Sequence, residues 1–516
     1  MSAITPRVRS IDAPRSHPLE PIHRGDGIIA VDKPVGWLTH PDGATTRPDV
    51  VTALGGDVGV HHRLDVDTSG VLLLSTDPEG AKRLQKAFES RSMGKRYLAV
   101  VLGTPPRKEG TLRGPVPEAP GRKAETRYRT LKVFRGSGGA PKAVLEVTPI
   151  TGRTHQIRAH LAQVGCPILG DQRYGDPLSP LASRLMLHCW SMTLPGAAPI
   201  VAEPPAPFAR YLGKSPEDAR GEIATDEGTT AWRMIHGAAD GHRGWYVDRY
   251  GDYAWIHHHE GTPEGPMPEV KGAFRITALR DRSRGGQAMP ELISGERPPT
   301  PMTIHENDVR YVVSLSEESL STGIFLDHRP QRRLLKETSA GCRVLNTFAH
   351  AGAFSVAAAA GGAESSLSID LSARWLARQD PQIEANGLDV AAHRTAKGDV
   401  FDWMRRLARR GEKFDVIILD PPSTSVGKKG KRWSAARDYG SLVEAAAPLM
   451  APGGALWTCT NYHKLTPARF ARDVAQALST SPGAAPGAVL EHVRPPAVDF
   501  PVDETPPLKT FIWRWP

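Results

Sequence analysis

The chain has little cysteine, and what it has is scattered: Cys166, Cys189, Cys342 and Cys459 are the only four in 516 residues, and none stands in a CxxC pair. That spacing argues against a disulfide framework and against a structural zinc, so no metal is expected and a reducing, cytoplasmic compartment fits best. Long apolar runs are missing too. Runs such as 71–74 and 356–360 fall far short of the roughly twenty residues a membrane helix needs, so no membrane partner is expected. The stretch up to Arg24 carries Arg, Pro and His but no apolar core of the signal-peptide kind, and its Asp12 and Glu20 speak against a transit peptide.

Charge is abundant and unbalanced. The 65 Lys and Arg exceed the 56 Asp and Glu, leaving a formal +9, which fits a polyanionic partner without requiring one. The length exceeds what one core organises, so two to four domains are expected. Nothing in the sequence sets an oligomeric state.

Composition shifts mark the boundaries. The Pro- and Ala-rich run at 195–207 and the polar run to Thr230 read as a linker. A looser stretch from Arg280 to Pro301 reads as a long loop, and the polar tract from Gly427 to Arg437 interrupts periodic segments. Before the linker, short β-like runs at 27–31, 71–75, 97–101 and 143–147 surround one helical pattern at 78–90, where Ala81, Leu84 and Phe88 share a face. That is α+β with a mixed or antiparallel sheet. Residues 232–259 read as hairpins of a small β-rich unit. After Cys342, strand-like runs at 344–348, 366–370, 415–420 and 454–460 alternate with helical stretches, the pattern of a Rossmann-like α/β domain with a parallel sheet. The expected division is therefore 1–205, a linker at 206–229, a small β-rich domain at 230–315 and an α/β domain at 316–516.

The front part carries a dense set of motifs. His62-Arg63-Leu64-Asp65-Val66-Asp67-Thr68-Ser69-Gly70 precedes an apolar strand. Around it stand Ile29 to Gly36 (IAVDKPVG), Lys95 to Val100 (KRYLAV), Thr151 to Leu161 (TGRTHQIRAHL), Gly170 to Gly175 (GDQRYG) and Leu187-His188. In this order they resemble the RluA-type pseudouridine synthases, whose signature is HRLDxxTSG, over about residues 25–195. The chemistry such an enzyme performs, detaching a uracil and rejoining it through carbon, needs a carboxylate and an extruded nucleotide but neither redox step nor metal. The resemblance implies that Asp65 is that carboxylate, whether it attacks the sugar, attacks the base or acts as a base. It implies that Arg63 fills the gap left by the flipped base and that Tyr97 stacks on the uracil and handles the proton at C5. It implies too that Arg158 pairs with Asp65 and holds it ionised. Asp67 occupies a variable position and reads as a turn residue; His62, His155 and His160 read as structural or RNA-facing.

The rear part carries a second set. Thr322 to Arg329 (TGIFLDHR) precedes Asn346 to Ser355 (NTFAHAGAFS), a small-residue turn that ends a strand and opens an Ala-rich helix. Such a turn lets backbone amides face a cofactor. Asp370 then closes a strand where an acid can hold both ribose hydroxyls, Asp399 sits where an adenine partner is expected, and Asp420-Pro421-Pro422-Ser423 ends a strand at the mouth where a substrate base would lie. With the upstream runs 232–241 and 244–252, these residues resemble class I methyltransferases of the RlmI and RlmK type, which act on large-subunit ribosomal RNA, over about residues 230–516. The resemblance implies S-adenosylmethionine as cofactor, held by Asp327, Arg329, Asn346, Gly352, Asp370, Asp399 and Asp420. The short PUA domain that opens RlmI-type chains is absent, and the synthase part is expected to supply the RNA grip.

Which atom takes the methyl group is open. Cytosine C5 becomes nucleophilic only after a thiolate adds at C6, and Cys459, in Trp457-Thr458-Cys459-Thr460-Asn461, stands at the end of a strand as in the TCS of cytosine-C5 enzymes. The plain alternative is a buried strand cysteine. Thr460-Asn461 is also close to the Ser-Asn-Asn of guanine-N7 enzymes, which need no nucleophile. Cytosine C5 is slightly favoured. Lys428, Lys429, Lys431 and Arg432, with Trp433 beside them, read equally well as RNA contacts or as a solvated loop. The expected function is thus a bifunctional RNA-modifying enzyme acting on ribosomal RNA, with transfer RNA a second substrate class for the front part. An RNA-binding assembly factor with one inactive half, and a small-molecule methyltransferase, are the competing readings.

Overall fold

A computed structural model of the chain describes residues 19–43, 45, 47–134, 140–178, 181–216, 218–220, 223, 228–258, 265–268, 275–281, 292, 295–316, 321–426, 432–480, 487–502 and 508–516. Among these, two compact units meet in sequence between Ser215 and Pro216.

The front unit is built on strands β1 (Pro21–Gly25), β2 (Ile28–Lys33), β3 (Gly59–Val60), β4 (Ser69–Ser75), β5 (Gly94–Leu102), β6 (Glu109–Val116), β7 (Ala119–Phe134), β8 (Lys142–Pro149), β9 (Leu187–Thr193) and β10 (Ile200–Val201). They form one sheet in the order β1-β2-β4-β9-β5-β8-β7-β6, with β3 on β4 and β10 on β9. Pairing is antiparallel except between β4 and β9. β4 explains itself: a strand flanked on both sides and covered on both faces must be apolar throughout, and Val71, Leu72, Leu73 and Leu74 are fully buried. Each such side chain contributes about 1.5–3 kcal/mol. Gly70 is required where β4 meets β9, since its φ is +115° and a Cβ would stand 2.2 Å from the Cys189 carbonyl oxygen. That close approach ties the catalytic-motif strand to the far end of the domain. The expected helix forms at Pro78–Glu89, with Pro78 in the first turn and Asp77 accepting the Gly80 N–H at 2.7 Å.

The rear unit contains a four-stranded sheet of β11 (Ala231–His236), β12 (Trp245–Tyr250), β13 (Tyr253–His258) and β14 (Arg275–Asp281), and a hairpin of β15 (Met302–Glu306) and β16 (Val309–Val313). The main sheet is formed by β17 (Arg343–Thr347), β18 (Ser365–Asp370), β19 (His393–Lys397), β20 (Phe414–Leu419), β23 (Met450–Thr460), β24 (Val489–Val493) and β25 (Lys509–Arg514). A short hairpin, β21 (Thr424–Val426) with β22 (Arg432–Ser434), lies outside it. The order β19-β18-β17-β20-β23-β25-β24 runs parallel up to β23, with β25 antiparallel to both neighbours. The strand order reverses between β17 and β20, and ligands of open α/β sheets bind at the carboxyl ends of the strands at that point.

The multidomain fold class holds, but two boundaries need correction. Described residues of the expected linker at 206–229 are packed into cores: Phe208 and Tyr211 belong to the front core, while Ile223 packs with Trp232, Trp245 and Val247 of the rear unit. The segment expected as a small domain at 230–315 is not packed by itself: Ala231, Tyr250 and Trp255 share one apolar cluster with Ile304 and Tyr311 of the hairpin, with Val356 and Ile383 of the helices Ala353–Ala360 and Gln379–Ala385, and with Phe500. Asp499 lies in a turn closed by the Phe500 N–H on the Ala497 carbonyl, and the final strand starts at Lys509.

Candidate active sites

In the front unit, a cavity of about 470 Å³ is lined by Arg63, Asp65, Tyr97, His155 and Arg158, among others. Asp65 lies in the loop between β3 and β4, and that loop is stitched in place from beneath. Lys33, fully buried at the end of β2, donates from Nζ to the carbonyls of Pro34 (2.9 Å), Trp37 (2.9 Å) and Val66 (3.2 Å). The Gly36 N–H donates to the same Val66 carbonyl, and the Thr68 N–H to that of Asp65. Burial, and then the charge of Arg184, pushes the Lys33 amine down to about 7.

Arg158, on the helix Gln156–Gln163, places Nη1 3.7 Å from Asp65 Oδ2. Its tight partner is a different carboxylate, which corrects the expected simple pair. Asp171 accepts Arg158 Nε at 2.8 Å and Nη2 at 2.9 Å, and also takes the N–H groups of Arg173 and Tyr174. Burial lowers the guanidinium's proton affinity, but the Asp171 hydrogen bonds and charge outweigh it, and the net shift is upward. Arg158 is therefore a fixed, always charged group whose spare Nη1 faces Asp65. The ring of His155 is 4.0 Å from Asp65 and 3.6 Å from Glu118, with Tyr174 at 3.3 Å. Burial, opposed by Asp65, moves its pKa down.

Tyr97 is buried at the cavity wall. Burial, then Cys189, raises its phenol well above the ordinary tyrosine range, so the hydroxyl is kept neutral. Arg63 is exposed at the cavity rim. Two histidines sort as structural: His62 accepts the Leu73 N–H at 2.9 Å, with burial pushing it down to about 3, and His160 lies between Thr126 and Gly114. Sequence reasoning quoted Lys33 and Asp171 within runs but gave them no task; the signal was their place in those runs, and their partners are remote in sequence.

In the rear unit the expected turn follows β17, and Phe348, His350 and Gly352 all take positive φ there. Strain concentrated in one turn marks a place where backbone must face something specific. Gly352 (φ +78°) opens the helix Ala353–Ala360, and a Cβ there would meet Gln379 Oε1 at 2.4 Å. Asp370 at the end of β18 accepts the N–H of His350 (2.9 Å) and of Ser372 (2.8 Å). Leu371 and Phe325 are 58% and 53% exposed, which is apolar surface that an adenosine group beside Asp370 would cover. The residues thus fit a nucleoside-bearing cofactor. Asp399 caps the helix Val400–Arg409, with Oδ1 accepting the Asp402 N–H. Asp420 lies just past β20 with Oδ2 3.1 Å from His328 Nε2, and Asp327 sits in the turn Leu326–His328.

Three expected site residues are placed differently. Arg329 is 2% exposed and paired two-pronged with Asp499 (2.9 and 2.7 Å), so its guanidinium pins the turn at Asp499. Asn346 is buried and donates to Ser355 Oγ at 3.1 Å, joining a hydroxyl network through Ser368 to Gln379 beneath the turn. It shapes the cradle without lining it. Cys459 lies on β23, whose end Tyr439 ties to that of β20 by donating to the Leu419 and Cys459 carbonyls (2.8 and 3.0 Å). Its thiol is fully buried, accepts from Thr510 Oγ1 at 3.5 Å, and is raised well above the ordinary range by burial and then by Asp420. The expected activated thiolate is not what this arrangement shows. Ser423, after the Asp420-Pro421-Pro422 turn, donates to Asn461 Oδ1 at 2.7 Å. Lys428, Lys429 and Lys431 lie outside the described residues; Arg432 is exposed and Trp433 half-buried on β22.

Among the described residues, no group of three or more His, Cys, Asp or Glu side chains is placed to hold a metal, and no helix is long and apolar enough to cross a membrane.

Comparison with known proteins agrees with this division. The family model described as RNA pseudouridylate synthase matches residues 27–163, and that described as S-adenosylmethionine-dependent methyltransferase matches residues 270–514. Ribosomal RNA large subunit methyltransferase I of Aeromonas salmonicida (strain A449) is 31% identical over 281 residues, covering 52% of this chain and 70% of the relative. A ribosomal RNA large subunit methyltransferase of Deinococcus radiodurans is 32% identical over 294 residues, covering 54% and 70%. YwbD of Bacillus subtilis (strain 168), assigned to the same activity, is 36% identical over 265 residues, covering 49% and 66%. The chain thus spans about two thirds of the length of these relatives. The crystal structure of SMU.776, assigned as a methyltransferase and solved with SAH, is similar at 26% identity and a TM-score of 0.51, covering 61% of this chain and 82% of that one.

Proposed function

We propose, for a chain that belongs to the family of the ribosomal RNA large subunit methyltransferases and carries an RNA pseudouridylate synthase domain ahead of that part, that both halves modify ribosomal RNA. The front half isomerises a uridine to pseudouridine; the rear half methylates a base, with C5 of cytosine as the atom. The observation that carries the front assignment is Asp65 in a cavity of about 470 Å³, between the fixed charge of Arg158 and the neutral hydroxyl of Tyr97. An extruded uridine would place its glycosidic bond at Asp65. The C1′–N1 bond breaks, the uracil turns, C1′–C5 forms, and the C5 proton leaves on the Tyr97 side. No net oxidation occurs, and Arg63 at the rim would hold the gap left in the RNA.

In the rear half, the bound S-adenosylmethionine supplies an electrophilic methyl group. Asp370 has remaining lone pairs for ribose hydroxyls, and Asp420, with Ser423 and Asn461, faces the base. Cys459 supports cytosine C5 by its place on β23, tied through Tyr439 to the strand that precedes Asp420: Sγ would add at C6, C5 would take the methyl group, and loss of the C5 proton would expel the thiolate. A second reading, guanine N7, is favoured by the burial and upward shift of that thiol, since N7 carries its own lone pair. Mass-spectrometric mapping of nucleosides in ribosomal RNA from cells with and without the gene tests both halves; loss of neither modification sinks the proposal. Within it, Cys459→Ala should abolish 5-methylcytidine. Unchanged methylation by that variant, with 7-methylguanosine as product, selects the second reading.

A further inference from the structure

A second cavity, of about 330 Å³, lies in the rear unit. Its described lining includes Arg297, Arg374 and Arg378, the hydroxyl residues Ser314 and Ser316, and the indole of Trp255, and no carboxylate is among the described lining residues. The neighbouring guanidinium groups of Arg374 and Arg378 repel each other, and an anion between them would relieve that repulsion. Arg378 shows the cost. Its Nη1 is buried without a hydrogen-bond partner among the described residues, although a buried polar nitrogen is normally paired. Burial, then the charge of Arg374, lowers its proton affinity. The volume falls within the range of sites that take small ligand groups, and arginine forks match the oxygen geometry of phosphate.

We infer that this pocket holds a phosphate group of the RNA substrate. The inference rests on the reading that the rear half acts on RNA, and adds where the backbone is gripped. The pocket is also connected to the donor cradle by packed rings. The Arg378 guanidinium stacks on Trp375 (4.5 Å), Trp375 on His350 (3.9 Å), and the His350 N–H donates to Asp370. A phosphate held by Arg374 and Arg378 therefore anchors RNA a fixed short distance from the methyl donor, without touching the base.

The test compares the full chain with an Arg374→Gln/Arg378→Gln double variant, which puts a neutral polar amide in place of each guanidinium and so removes both charges. Binding of a protein-free transcript of large-subunit ribosomal RNA should weaken about tenfold, and the slope of log affinity against log salt should fall by roughly 1.4, about 0.7 for each lost contact to single-stranded phosphate. Affinity for SAH should stay at the wild-type value, which shows that the cradle is folded. Inorganic pyrophosphate, titrated calorimetrically, should bind the wild type and not the variant. Wild-type RNA affinity and salt slope in the variant would overturn the inference; pyrophosphate binding lost in the variant beside that result would assign the pocket to a free phosphate instead. If the wild type neither binds nor methylates the transcript, the proposed function fails, and absence of pyrophosphate binding by the wild type would then overturn the pocket as well.

Discussion

In the front unit the candidate acid, Asp65, faces an open cavity with Arg158 3.7 Å away; in the rear unit the corresponding acid, Asp370, already accepts two backbone N–H groups. The same residue type does opposite work. The front site presents its reactive group with charged neighbours that are themselves held by second partners, Arg158 by Asp171 and the loop carbonyls by Lys33. The rear site spends its polar side chains on shaping backbone: Asp370 and Asp399 hold turns and a helix start, and Asn346 feeds a buried network. A domain that does chemistry with its own side chains needs them exposed and preorganised. A domain that lends chemistry to a bound group needs a rigid cradle.

The widest break in that contrast is Asp65→Ala. Pseudouridine formation should fall by roughly 10³-fold or more, because nothing else in the cavity replaces the carboxylate, while methylation by the same chain stays intact. Quantifying both nucleosides in one RNA digest reads it out, and persistence of pseudouridine would remove the front assignment. Next comes Arg329→Ala. If Arg329 is structural, the loss strands Asp499 as an uncompensated buried charge and costs about 3–5 kcal/mol of rear-unit stability, measured by denaturant unfolding. A variant of unchanged stability with weakened SAH binding would restore Arg329 to the cofactor site. Asp171→Asn is smaller: it keeps the shape around Arg158 but removes the charge that holds it, and kcat for pseudouridine should drop on the order of tenfold to a hundredfold with KM little changed. An unaltered kcat would reduce Asp171 to a packing residue.

How far the sequence could be read follows the same divide. The front residues stand in short runs whose order along the chain is their order in a resemblance, so Asp65, Tyr97 and Arg158 were legible, and the structure brings them to one cavity. Their supports were not, because Lys33 acts across 33 residues and Asp171 is read only once its partner is known. In the rear, the alternation of strand and helix gave β17, β18, β20 and β23 close to their observed limits. For Arg329 and Asn346 the sequence pointed only to the cofactor, because a polar side chain beside a cofactor turn has two uses, and the second becomes visible only with their partners Asp499 and Ser355. Boundaries failed for a related reason: a Pro-rich, polar run looks like linker until Phe208 and Ile223 are seen to be buried.

The finest contrast lies in a pair that no run of sequence announced. His328 Nε2 stands 3.1 Å from Asp420 Oδ2, with the ring packed against Phe354 and buried. Burial lowers its proton affinity, but the charge and hydrogen bond of Asp420, with Asp327 adding and Arg332 opposing, leave it raised above the ordinary histidine value. A histidine raised on folding stabilises the folded state fully below its unfolded value of about 6.5, and that contribution is lost as pH rises through the higher folded value. The rear unit should therefore lose a little stability as pH climbs from the mid-sixes, a Tm change on the order of 2 °C. His328→Gln, which keeps a donor toward Asp420 but cannot titrate, should flatten that slope. The front unit has its own histidine beside an acid, but there burial wins and His155 is lowered, so its contribution has the opposite sign and a lower window: stability rises with pH up to the unfolded value of about 6.5 and is flat above it. Thermal melts of the two units, followed separately from pH 6 to 8 by protease resistance, decide the matter: parallel slopes in both units, or a His328→Gln variant that keeps the wild-type slope, would leave the Asp420 contact without electrostatic weight.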